Sequence, residues 1–138
     1  MQNYRIRSAT MADIPFLAGA IVQAEKSGTG ILGLGRLFDL SEEDLLPLIM
    51  LMLEEEIDGC DYSVSSFLLA EYQGKPVAAI AGWVEELDGE PPSHQLRANL
   101  YGHILPEANL LGSRANRDII APLQSEREPL TLQLEHVY

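Results

Sequence analysis

The sequence predicts an α/β fold, with two helices near the amino terminus packed on a mixed, mainly antiparallel sheet. Three observations predict it. The chain opens on a short apolar–polar alternation that passes directly into apolar residues at helical spacing. Two strand-like runs meet at a short glycine-containing link in its middle. A second strict alternation stands at its end. With 138 residues the chain fits one domain, residues 1–138, and can bury a core without disulfide or metal.

Tyr4-Arg5-Ile6-Arg7-Ser8 alternates as a half-buried strand does. Thr10-Met11-Ala12-Asp13 then reads as a helix start, Thr10 capping and Asp13 returning the bond near the positive helix end. Ile14, Leu17, Ala18, Ile21 and Val22 follow as one stripe, and Pro15 falls early enough to cost little backbone bonding. Gly28 and Gly30 end this helix, and a glycine-rich loop runs to Asp39. Ser41-Glu42-Glu43-Asp44 opens a second helix. Its body, Leu45 to Leu53, is apolar almost all round, which predicts burial on more than one side or a place in an interface. Pro47 kinks it or marks its beginning. Glu54, Glu55, Glu56 and Asp58 read as a solvated acidic face.

Ser66 to Tyr72 and Val77 to Glu85 are strand-like and joined by Gln73-Gly74-Lys75-Pro76, a hairpin signal. Ala78, Ala79, Ala81 and Gly82 keep the second of these strands thin, so something packs closely on it. Glu86 to Pro92 is a polar turn, and Ser93 to Ser125 is mostly helical or irregular. Leu130, Leu132 and Leu134 then alternate with Thr131, Gln133 and Glu135, predicting a strand whose leucines are buried.

Composition excludes several classes of function. Nine Lys+Arg against 21 Asp+Glu give a net charge of −12, which leaves no basic face for nucleic acid or an anionic membrane. A field of that sign draws cations such as amines, and equally it keeps copies apart in solution. No apolar run is long enough to span a bilayer and the amino terminus has no signal-peptide shape, so a cytoplasmic location is expected. Cys60 is the single cysteine, and flanking acids should suppress its thiolate. His94, His103 and His136 lack ligand spacing, so no metal is expected.

Arg5-Ile6-Arg7-Ser8-Ala9-Thr10 with Asp13-Ile14-Pro15, then Phe67-Leu68-Leu69-Ala70-Glu71 with Gly74-Lys75-Pro76-Val77-Ala78, then Leu132 to Tyr138, resemble in order the first four strands of the GNAT superfamily of N-acetyltransferases. The resemblance implies a GNAT-like fold and acetyl transfer from acetyl-CoA to an amine. The family's Arg/Gln-x-x-Gly-x-Gly/Ala motif follows its fourth strand. There the backbone N–H groups at a helix start receive the CoA pyrophosphate. The sequence stops at Tyr138, where that motif would begin. The expectation is therefore a fold truncated after its fourth strand, an amino-terminal half that is inactive alone. Gly28-Thr29-Gly30-Ile31-Leu32-Gly33 fits G-x-G-x-x-G, but a helix precedes it where a phosphate cradle needs a strand, so it reads as a loop, which in GNAT relatives borders the acceptor site.

Position in the family pattern makes Glu135 the candidate general base, removing a proton from the amine, and makes the backbones of Val137 and Tyr138 the contacts for the acyl carbonyl of the cofactor. By alternation Glu135 lies opposite the leucine face, where an ordinary solvated glutamate would also lie, and His136 shares the leucine face as a hydrogen-bonded strand-end residue. Trp83, Phe67 and Tyr72 read as packing. A second function of another class is a non-catalytic, partner-binding module. The unpaired edge of the last strand and the over-apolar second helix predict a homodimer, or a partner completing the sheet.

Overall fold

A computed structural model describes residues 3–120 and 126–138, the side chains of residues 117–120 apart. The final residues of the stretch expected to be helical or irregular, 121–125, lie outside this description. Strand β1 (Tyr4–Ser8) leads through a 3-10 turn (Met11–Asp13) into helix α1 (Ile14–Glu25), then α2 (Gly33–Phe38) and α3 (Glu42–Glu54). Strands β2 (Phe67–Tyr72) and β3 (Lys75–Val84) form a hairpin. Helices α4 (Ser93–Ile104) and α5 (Glu107–Ile120) follow, then β4 (Leu132–Glu135). The sheet order is β1-β2-β3-β4 and each of its three ladders is antiparallel, so the expected mixture of directions is corrected. Among the described residues no helix is long and apolar enough to cross a membrane.

Local chemistry accounts for the elements. Asp13 accepts from the Thr10 amide at 2.8 Å and from the Thr10 hydroxyl at 3.2 Å, closing the turn ahead of α1. Ser41 Oγ accepts from the Asp44 amide at 3.1 Å, so α3 starts at Glu42 and Pro47 lies inside it. The expected glycine-rich loop contains a helix, α2. Its C-terminal carbonyls of Leu37 and Phe38 accept from the side chains of Asn116 and Asn109 on α5, satisfying groups that a helix end leaves unpaired. The hairpin turn is the pair Gln73-Gly74, both at positive φ, which matches the twist of the flanking strands.

One face of the sheet and α1 with α3 enclose the core, in which Leu17, Ile21, Ile49, Leu53, Phe67, Leu69 and Ala81 are buried. Helix α3 buries Leu45, Ile49, Met52 and Leu53 while Leu51 stays exposed, so its covered face is broad but not complete. The other face of the sheet has no layer on it among the described residues. Leu132 and Leu134 point there, 65% and 58% exposed, beside Tyr4, Ile6, Leu68 and Tyr72. The expected burial of the leucine side of β4 is thus reversed. Gly82 is thin because Leu134 lies across it, a Cβ there meeting Leu134 Cδ2 at 3.1 Å.

Candidate functional site

The inversion of β4 turns Glu135 inward. It sits opposite Ala81 on the core side of the sheet, not on a solvated face. Regular pairing would next set Val137 opposite Ala79, but Tyr138 takes that place, exchanging both backbone hydrogen bonds with Ala79 at 2.9 Å. Strand β4 therefore carries one extra residue, and His136 supplies it at φ 50°. This is a β-bulge, and its effect is to aim two successive side chains to the same side. His136 is buried at 8% exposure and does not share the leucine face.

Both side chains enter a polar cluster assembled from distant parts of the chain. His136 Nε2 donates to Asp61 Oδ2 at 3.1 Å, and Arg97 on α4 donates to the same oxygen at 3.3 Å. The ring of His136 stacks on Phe67, with centroids 6.4 Å apart and planes 12° apart, and Tyr62 approaches it at a tilt. Tyr62 and Tyr101 share a hydroxyl–hydroxyl hydrogen bond of 3.0 Å behind it. Glu135 is paired with Arg127, which also donates to Ser93 Oγ at 2.9 Å and lies over the Trp83 ring. Glu85 anchors this arrangement by accepting from Trp83 Nε1 at 2.9 Å and from the Ser93 amide at 2.7 Å.

The electrostatics follow from burial and pairing. Burial pushes Glu135 above the ordinary carboxylate range, helped by the charge of Asp61 and opposed by Arg127. Burial also pushes Glu25, at the end of α1, upward, and it feels the charges of His136, Asp61, Arg97 and Glu135. Burial alone would raise Asp61, but the hydrogen bond from His136 and the charge of Arg97 outweigh it and hold Asp61 ionised. Asp61 Oδ1 is buried and has no hydrogen-bond partner among the described residues. One oxygen from Asp61, one from Glu135 and one ring nitrogen from His136 lie within 4.8 Å of one another, so the absence of ligand spacing in sequence did not keep ligand atoms apart in space.

The remaining expected site residues separate. Val137 is exposed, and its amide has no partner among the described residues, whereas the Tyr138 amide donates to the Ala79 carbonyl. Cys60 is buried; burial, more than the neighbouring acid, raises its thiol. A cavity of about 470 Å3 lined by Thr10, Met11, Glu56, Asp58 and Val64 includes none of the cluster residues. Sequence reasoning missed Asp61, Arg97 and Arg127 as site members. Asp61 follows a run of acids, Glu54 to Glu56 and Asp58, that reads as a solvated face, and the arginines' partners are 36 and 8 residues away, so none of the three carried a local signal.

Comparison of the chain with protein-family models, with curated proteins and with solved structures returns no match.

Proposed function

We propose that the chain carries the amine-handling side of a GNAT-like N-acyltransferase, with acetyl-CoA as the acyl donor and Glu135 as general base. The observation that carries this is the placement of Glu135. It is a half-buried carboxylate turned inward at the end of β4, its proton affinity raised chiefly by burial. A base of raised pKa takes a proton from an ammonium group more readily than a solvated glutamate does. The element order also supports it: a strand, helices, an antiparallel hairpin, an insertion and a last strand joined antiparallel to the hairpin. In this reading Glu135 accepts the amine proton through the carboxylate oxygen not held by Arg127. The freed lone pair attacks the thioester carbonyl, whose oxygen the Val137 amide receives. The thiolate then leaves and is protonated. The net charge of −12 concentrates cationic amines near the protein.

A small acetyl thioester, S-acetyl-N-acetylcysteamine, tests this without any demand for a pyrophosphate grip. With spermidine as acceptor, thiol release should depend on the amine and fall by about 10²–10⁴-fold in Glu135→Gln. Release that is indifferent to the amine or to this substitution would overturn the proposal.

A second reading rests on the uncovered apolar side of the sheet, where Ile6, Leu68, Leu132 and Leu134 are exposed. There the chain works as a docking module whose partner is a second copy, the edge strand β4 lying at the seam. Sedimentation equilibrium should then show a dimer at micromolar concentration, and a stable monomer would exclude it.

A further inference from the structure

We propose that Asp61, Glu135 and His136 form a binding site for a divalent first-row transition-metal ion. Three donor atoms from a loop and from the bulged end of β4 already lie within 4.8 Å of one another. Tetrahedral coordination at metal–ligand distances near 2.0–2.2 Å sets ligand atoms roughly 3.3–3.6 Å apart, somewhat closer than the 4.8 Å within which these donors already lie. The second observation is independent of the clustering. Asp61 is 1% exposed, and its Oδ1 is a buried acceptor with nothing to accept from among the described residues. Native proteins rarely leave such an atom unpaired, and an unplaced ion is one of the few things that resolves it.

The donor set selects the ion. One imidazole and two carboxylates suit Zn²⁺, Co²⁺ or Mn²⁺, and three protein ligands leave a coordination position open for water. Seating the ion requires a ring nitrogen of His136 without its proton, so the Nε2 proton moves to Nδ1 or leaves to solvent. The ion also competes with Arg127 for Glu135 and with Arg97 for Asp61. Removing Arg127 should therefore tighten binding, an outcome opposite to that of any generally disruptive change.

The site shares Glu135 with the acyl-transfer proposal but does not rest on it. An ion would hold Glu135 as a ligand and silence it as a base, so Zn²⁺ should inhibit thiol release where that release exists.

The test is titration of the purified chain with Co²⁺, read by its visible absorption bands, and with Zn²⁺, read as displacement of Co²⁺ and as a rise in melting temperature. We expect one ion per chain. His136→Gln and Glu135→Gln should each weaken binding by at least about tenfold, and Arg127→Gln should strengthen it. Circular dichroism of each variant separates loss of a ligand from loss of the fold. Absent Co²⁺ bands, or binding that persists unchanged in folded His136→Gln, would overturn the site. Neither result bears on the thioester assay, which is run with chelator present.

Discussion

Arg7 shows how much one side chain can organise. It donates to both oxygens of Asp13, at 2.7 and 2.8 Å, and to Glu71 at 2.7 Å, tying β1 to β2 and to the turn before α1. The Arg7 hydrogen bonds lead the forces holding Asp13 at about 2, below its ordinary 3.8. A carboxyl depressed in the folded state adds stability that is complete above its unfolded pKa and is lost as pH falls through its folded one. Urea midpoints should therefore drop as pH goes from about 4 to 2. Asp13→Asn should cost roughly 1.5–3 kcal/mol at neutral pH and flatten that part of the profile. An identical acid profile in the variant would show that the pair does not contribute.

Among elements, two glycines separate space from backbone conformation. Gly74 turns the hairpin at φ 77° with nothing near its missing Cβ, whereas a Cβ on Gly35 would lie 2.6 Å from the Leu40 carbonyl oxygen. Gly74→Ala should cost about 1 kcal/mol, the ordinary penalty for a left-handed residue. Gly35→Ala should cost more, about 1–3 kcal/mol, since the obstacle is main chain and α2 must shift. Chemical denaturation ranks the two, and equal costs would mean that α2 moves freely. The same scale shows what was legible in the residues. Period-two alternation located β1 and β4, the apolar runs about the Gln73-Gly74 link located β2 and β3, and the capping serines, threonines and acids located the starts of α1 and α3. Which side of β4 is covered was not legible, because alternation defines two faces without saying which one meets the helices. A register change at the last residues escaped it too. The bulge at His136 depends on Tyr138 pairing with Ala79, a tertiary choice with no local signature. Glu135 was picked out by position and its surroundings were not, since Asp61 stands 75 residues from His136.

At the scale of the whole molecule, helices cover one side of the sheet and the other carries Ile6, Leu68, Leu132 and Leu134 in the open. Leu132→Ser with Leu134→Ser should leave the melting temperature within about 2–4 °C, as surface substitutions do, while shifting sedimentation towards monomer. A large loss of stability in the isolated monomer would place those leucines in the folded interior instead. The bare apolar sheet face is borne by a polyanion, and the two properties act over different ranges. Repulsion between copies reaches about 10 Å at 0.1 M salt and only about 3 Å at 1 M, whereas contact between oily surfaces is felt only at touch. If the second-copy reading holds, ionic strength should work as a valve: dilute buffer should hold copies apart, and added salt should let the leucines meet, which sedimentation at low and high salt would read.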